Sequence, residues 1–415
     1  MRNSAVGGID VGQLLDEVEA AAPVDSVPVV AARLAEMVGA REVHFLIADF
    51  TGRAVVRLTS TGLVEGARSR GAEQAETVPL SGTVYGRVLR TQQADVQQVD
   101  GGARMLLPVT NRGDAIGLLE LVLPELPSPQ QVATLETAAH ALAYVLVAAR
   151  RYTDVYEWGM RSTPFSLAAE IQRRLLPGAY TCEAGQFTLA GWLEPAAAVG
   201  GDTFDYNLDR DVLHLSITDA VGHQVVASLL ATLLVGSLRN GRRRGLGLAA
   251  QASYANDCLA ENAPSGQFVT GQLVRVELHT RTATIVNAGH TLPLRLRRGA
   301  VEEIQLRVEP PFGVLPGKTF EVQSFPLEPG DRIIFLTDGM LERNAASLDV
   351  AASLADTADL HPREVVLALG AAVLQATGGK LRDDATMLCL DWYGGPPRDR
   401  DTEQGADPRR ASPSA

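Results

Sequence analysis

Apolar positions along this 415-residue chain alternate between helical and strand-like spacing. Between Ser26 and Val38 they recur every three or four residues, which predicts a helix. Val43-His-Phe-Leu-Ile-Ala48 and Ala103-Arg-Met-Leu-Leu-Pro-Val109 are short β-rich runs. Asn111-Arg-Gly-Asp114 separates the second run from Ile116-Gly-Leu-Leu-Glu-Leu-Val-Leu123 and predicts a hairpin. Residues 11–124 thus read as an α+β domain. Ser128-Pro129 is an N-cap followed by a proline at the first helical position. Behind it Val132, Leu135, Ala139, Leu142 and Leu146 form one apolar stripe. Such a stripe serves either a terminal helix packing on its own domain or a seam that pairs two copies of the chain. Helical composition continues to Ser162-Thr-Pro164, where proline should break it. A second short helix, 165–176, ends at Pro177-Gly178.

A second α+β region follows, from about 187 to 393. Leu213-His-Leu-Ser-Ile-Thr-Asp219 alternates apolar and polar residues and reads as a half-buried strand with Asp219 at its end. Arg332-Ile-Ile-Phe-Leu-Thr-Asp338-Gly339 is another apolar strand ending in Asp-Gly. Asp383 and Asp384 open a third strand, through Asp391. Antiparallel pairing brings the end of one strand beside the start of its neighbour, so Asp219, Asp338 and Asp383 are expected at one edge of a sheet. The residues after 394 are rich in Pro, Gly and charge and are expected to be disordered.

Length calls for two or three domains, and the 46% apolar content suffices to fill their cores. A formal charge of −12 argues against nucleic acid or an anionic membrane as partner. The three cysteines, Cys182, Cys258 and Cys389, form no C-x-x-C pair and suggest neither disulfides nor zinc. With no secretory pattern at the N-terminus and no recognisable span, the expectation is a soluble cytoplasmic protein.

The candidate chemistry lies in the acids. Asp202 and Asp205 stand in Ala198-Val-Gly-Gly-Asp-Thr-Phe-Asp-Tyr206, which resembles the Gly-Gly-Asp-Glu-Phe tag of cyclic-dinucleotide synthases, with Thr203 replacing its second acid. Singly, an Asp beside Gly or at a strand end is most often a turn residue. Several gathered together repel one another, and a hard divalent cation is the usual remedy. Oxygen-only ligands point to Mg²⁺ or Mn²⁺.

Asp202 in Val-Gly-Gly-Asp-Thr-Phe-Asp, Asp219 in Thr-Asp-Ala-Val-Gly-His, Asn287-Ala-Gly-His290, Pro310-Pro-Phe-Gly313, Thr337-Asp-Gly339 and Asp383-Asp-Ala-Thr386 follow one another in a familiar order. In that order and spacing the chain resembles the bacterial PP2C-like (PPM-type, SpoIIE/RsbU-like) serine/threonine phosphatases over about residues 165–393. Ala169-Glu-Ile-Gln-Arg-Arg-Leu-Leu-Pro177 is similar to that group's leading helix. The cyclic-dinucleotide synthases have no counterpart to the later motifs.

The resemblance implies an αββα sandwich with two Mn²⁺ or Mg²⁺ ions. They would be held by Asp202 and Asp219, with Asp219 bridging, by the carbonyl of Ala220, and by Asp338 and Asp383. Asp384 sits where relatives carry Asn or Asp and is counted with the metal set. Asp205 has two readings, orienting metal-bound water or capping the turn. The implied reaction is hydrolysis of phosphoserine or phosphothreonine by metal-bound hydroxide, with no covalent intermediate. That agrees with the absence of a Cys-x5-Arg loop. By the same resemblance the substrate is a STAS-type anti-anti-sigma factor in a partner-switching pathway. The chain departs from the family at Gly222-His223-Gln224, where relatives read Gly-His-Gly. This motivates an alternative, a catalytically silent scaffold that binds phosphoprotein. His223 and His290 read either as substrate contacts or as members of a loop hydrogen-bond network.

Residues 107–121, Leu-Pro-Val-Thr-Asn-Arg-Gly-Asp-Ala-Ile-Gly-Leu-Leu-Glu-Leu, resemble the closing hairpin of GAF sensor domains, whose ligand here is unreadable. The expected organisation is a GAF-like domain at 1–126, a helical connector at 127–178, a PP2C-like domain at 179–394 and a disordered tail at 395–415. The helix from Ser128 is expected to pair in a homodimer and to pass signals to the phosphatase.

Overall fold

The structure, a computed structural model, describes residues 10–58, 75–161, 165–196, 200–222, 224–341, 349–395, 400 and 402–413. Contacts divide the chain into two units, Met1–Pro164 with Asp401–Ala415, and Phe165–Arg400.

The first unit is built on β1 (Glu42–Ala48), β2 (Ala54–Leu58), β3 (Ala75–Pro79), β4 (Asp95–Val99), β5 (Gly102–Asn111) and β6 (Asp114–Leu123). They form an antiparallel sheet in the order β3-β2-β1-β6-β5-β4. The hairpin predicted around 111–114 is the β5–β6 pair. Period-two alternation sorts the side chains. Phe45, Ile47, Leu107 and Leu121 face a core shared with α1 (Val11–Ala20), α2 (Ser26–Val38) and α4 (Pro129–Ala149). Leu46, Leu106 and Leu118 face α3 (Val84–Thr91) on the other side.

α4 starts where its sequence predicts, with Ser128 and Gln131 forming a capping box and a proline at the helix start. Its stripe is consumed within the unit: Leu135, Ala139, Leu142 and Leu146 are buried against β5, α1 and α2. The seam that would pair two copies is therefore not available on this face, and the homodimer expected from it loses its basis. Among the described residues α4 also has the length and hydropathy of a membrane span. The sequence reading found no such run, and the helix's buried side belongs to the core of the first unit.

The expected connector is not a separate body. α4 and α5 (Val155–Gly159) belong to the first unit, and α6 (Leu167–Leu175) opens the second. The break expected at Ser162-Thr163-Pro164 lies outside the described residues.

The second unit has four layers. One sheet, in the order β15-β12-β11-β10-β9, is made of β9 (Thr203–Leu208), β10 (Val212–Ala220), β11 (Val269–Glu277), β12 (Thr282–Ala288) and β15 (Gln323–Pro326). The other, β14-β13-β16-β17-β8-β7, is made of β7 (Thr181–Glu183), β8 (Phe187–Glu194), β13 (Leu294–Arg297), β14 (Ala300–Glu303), β16 (Asp331–Leu336) and β17 (Ala385–Trp392). Alternation again decides which residues go where. Ile333, Phe335, Leu388 and Leu390 meet Leu215, Ile217 and Val274 in the core between the sheets. Ile334, Leu336, Met387 and Cys389 face outward onto α9 (Val350–Asp356) and α10 (Pro362–Ala376). Leu273, Val286 and Ala288 face outward onto α7 (Gln224–Arg243) and α8 (Leu248–Asn262). The arrangement is an αββα sandwich, and the strands that read as continuous apolar runs are those covered on both faces.

The tail departs from expectation. Residues 402–413 fold back as part of the first unit. Ala406, Asp407 and Ser412 are buried there, and Asp407 pairs with Arg409 and Arg410. The amide of Gly113, in the β5–β6 turn, donates to the carbonyl of Gly405 at 2.9 Å. Composition missed this because the segment carries no apolar run: a backbone hydrogen bond links it to the unit, and its charges pair with one another. Ending the chain after Arg400 should speed hydrogen exchange at the Gly113 amide ~10-fold or more and lower the melting temperature of the first unit. Unchanged exchange at Gly113 would contradict the docking.

Candidate active site

The acids are delivered by two hairpins, one from each sheet. β9 and β10 pair with Thr203 opposite Thr218, so one residue further on Asp202 stands beside Asp219. In the other sheet β16 and β17 pair with Leu336 opposite Met387. This places Thr337 and Asp338, at the end of β16, next to Asp383 and Asp384 before β17. The expectation that Asp219, Asp338 and Asp383 share one sheet edge is thus corrected. β10 pairs only with β9 and β11, and the acids meet across the sandwich because the ends of its two sheets are stacked.

The closest link across that gap is the hydroxyl of Thr337, which donates to Asp202 Oδ2 at 2.7 Å and accepts from the amide of Thr386 at 3.0 Å. Two glycines allow the approach. A Cβ on Gly201 would lie 2.4 Å from the carbonyl oxygen of Ala220, and one on Gly339 would lie 1.9 Å from that of Asp384.

Charge dominates the site. Asp202 is 2% exposed, and burial, with Asp219 and Asp384 adding repulsion, holds its carboxyl well above the usual carboxylate range. Burial pushes Asp219 up to about 7, with Asp338, Asp383 and Asp384 adding to the rise and a hydrogen bond with Asp202 offsetting part of it. No cation is among the groups acting most strongly on either acid. Asp338 is exposed and Asp383 half-buried. These crowded oxygen donors fit a hard divalent cation in kind and in charge. Among the described residues, however, no set of three or more His, Cys, Asp or Glu side chains stands in an arrangement that could hold a metal ion.

Asp384 has a different part from the one expected. It is 1% exposed, and its two oxygens accept from protein donors only: the amides of Ala196 (2.8 Å), Gly201 (3.0 Å) and Asp202 (3.3 Å) and the Gln172 side chain (2.7 Å). It anchors the loop that delivers Asp202. Asp205 neither caps a turn nor faces the acid cluster as a water ligand would. It is buried in a two-point ion pair with Arg239 of α7 (2.9 and 3.1 Å), with Arg242 at 3.4 Å. His290 is a network member: Nδ1 meets the Thr270 hydroxyl at 2.9 Å, and its main chain is held at both ends by the Asn287 side chain. Burial pushes its imidazole down to about 4, which keeps it neutral. His223 and the side chain of Gln224 lie outside the described residues.

Sequence reasoning missed Gln172, Thr337 as a bridge, and Arg239. One signal was readable for the first: Gln172 shares the buried face of α6 with Ala168 and Ala169, a polar amide where an amphipathic helix calls for an apolar side chain. The partners of the other two are set by tertiary pairing and leave no local mark.

Comparison with known proteins adds to this geometry. Residues 209–393 match the family described as Stage II sporulation protein E (SpoIIE). Protein IcfG of Synechocystis sp. is 23% identical over 212 residues, 44% of this chain and 33% of that protein. Phosphoserine phosphatase RsbU of Bacillus subtilis is 20% identical over 233 residues, 54% of this chain and 68% of that one. Among solved structures, the RsbU and RsbW domains of Rv1364c from Mycobacterium tuberculosis align at 24% identity. That match covers 51% of this chain and 62% of the other, with a TM-score of 0.46.

The raised carboxyl of Asp219 has a measurable consequence. Its folded value near 7 exceeds the unfolded 3.8, so the cation-free fold binds this proton more tightly than the unfolded chain does. The resulting stability is present below pH 4 and is lost as pH rises towards 7. Asp219→Asn removes that penalty, so its melting temperature should gain on the parent's progressively between about pH 4 and 7 without metal. A pH-independent difference would contradict the assignment.

Proposed function

We propose that this chain is a divalent-cation-dependent phosphatase that removes phosphate from phosphoserine or phosphothreonine of a partner protein. The single observation that carries the reading is the Asp202–Asp219 pair, buried at the junction of the two sheets, with further acids adding to the rise of both carboxyls. Crowded carboxylates in such a place cost stability, and function is the usual reason to keep them. For the same reason the silent scaffold is the weaker reading.

In this reading Asp202, Asp219, the Ala220 carbonyl, Asp338 and Asp383 would hold the divalent ions. Mn²⁺ or Mg²⁺, when bound, supplies Lewis acidity and offsets charge on the phosphoryl oxygens. The protein's own residues do the positioning. Thr337 fixes the rotamer of Asp202 through its short hydrogen bond. Asp384 holds the backbone amides of Ala196, Gly201 and Asp202. Asp338 is exposed beside them.

The substrate we infer is a STAS-type anti-anti-sigma factor in the cytoplasm, a reading supported by the likeness to RsbU. The first unit, an antiparallel sheet covered on both faces by helices, supports the reading of a GAF-like sensor that regulates the second.

Manganese-dependent release of phosphate from para-nitrophenyl phosphate and from a phosphorylated STAS domain tests this directly. Asp219→Asn should lower the rate ~100-fold or more on both substrates. Activity within twofold of the parent would remove Asp219 from the reaction.

A further inference from the structure

We propose, resting on the phosphatase reading above, that Gln172 is a positioning residue through which helix α6 sets the geometry of Asp202. Gln172 is 1% exposed, and its Nε2 donates both to the carbonyl oxygen of Asp202 at 2.8 Å and to Asp384 Oδ2 at 2.7 Å. One proton of the amide nitrogen is thus spent on the backbone of Asp202 itself and the other on the Asp384 carboxylate that holds the same stretch. Asp384 passes the restraint on, because the same Oδ2 accepts from the amides of Gly201 and Asp202.

Two further contacts fix α6 to the same stretch of chain. Near its start, the Ser228 hydroxyl of α7 lies 3.2 Å from the Ala168 carbonyl and 2.6 Å from that of Gly200. At its end, Arg239 gives Nη2 to the Leu175 carbonyl at 2.5 Å while gripping Asp205. Start, middle and end of α6 are each tied to residues 200–205, so the helix and the acid-bearing segment move as one body. Of the three ties only Gln172 touches Asp202 itself. A shift of α6 by about 1 Å takes hydrogen bonds of this length out of range and frees both Asp202 and its anchor. α6 is also the first element of the second unit, directly after the boundary at Phe165.

The bland alternative is a buried amide that is merely satisfied, and it predicts a different outcome. Gln172→Met keeps the length of the side chain and removes both donors. Gln172→Glu turns oxygen towards two oxygens. In the cation-free full-length chain, Gln172→Met should speed hydrogen exchange at the Gly201 and Asp202 amides ~10-fold or more, while amides of the β11–β12 pair stay protected. Its Mn²⁺ affinity by calorimetry should fall ~10- to 100-fold, and that of Gln172→Glu further. Should the Met variant not fold, Gln172→Asn, which draws the amide back by one methylene, is read in its place. Exchange and Mn²⁺ affinity within twofold of the parent would overturn the proposal. So would a loss of protection spread evenly over the second unit, since that marks a purely structural role. If the parent itself binds no Mn²⁺, the phosphatase reading fails, while the exchange rates still decide the part played by Gln172.

Discussion

Everything distinctive about the second unit follows from one unfavourable interaction, the repulsion between carboxylates that the fold forces together. Asp202 and Asp219 sit at the end of one hairpin, and Asp338 and Asp383 at the end of another in the opposite sheet. The hydrophobic core between the sheets decides their proximity. Ile333, Phe335 and Leu388 must meet Leu215 and Ile217, and the acids one or two residues beyond those strand ends are carried along. Apolar burial of this kind is worth about 1.5–3 kcal/mol per large side chain, enough to hold several like charges close. The repulsion then surfaces as raised carboxyl pKa values and as a standing demand for positive charge.

Around this conflict the neighbouring residues divide into those that leave the acids free to ligate and those that hold them still. Thr337 supplies one neutral hydrogen bond to Asp202 and no counter-charge. Arg239, the nearest well-placed cation in the chain sequence after the acid pair, is spent on Asp205 and does not neutralise Asp202 or Asp219. Asp384 absorbs four donors and so serves as scaffold. The division separates two adjacent aspartates: Asp383 accepts from the amide of Asp384 and adds to the repulsion on Asp219, whereas Asp384 gathers the amides of Ala196, Gly201 and Asp202.

Much of this was legible in the sequence, for identifiable reasons. Strands such as 213–219 and 332–337 are covered on one or both faces, so their apolar periodicity is strong, and an Asp at the end of each stands out. The N-cap and proline at Ser128-Pro129 and the turn at 111–114 are local signals, and the structure has both. Tertiary pairing was not legible. The stripe on α4 fits a core as well as a seam, and only the position of α1, α2 and β5 decides between them. Asp205 looks like a site acid until Arg239, far along the chain, is seen to hold it. That Asp384 also gathers the amides of Ala196, Gly201 and Asp202 leaves no local mark. The docked tail was illegible because a backbone hydrogen bond, and not an apolar run, links it to the unit.

The central claim is that four aspartates distant in sequence exist to share divalent cations. Anomalous diffraction from crystals soaked in Mn²⁺ tests it most directly. The account predicts two peaks enclosed by Asp202, Asp219, Asp338 and Asp383, with Asp384 still bound to the amides of Ala196, Gly201 and Asp202. A soaked crystal with no peak among these residues, or with Mn²⁺ only at other sites, would contradict it.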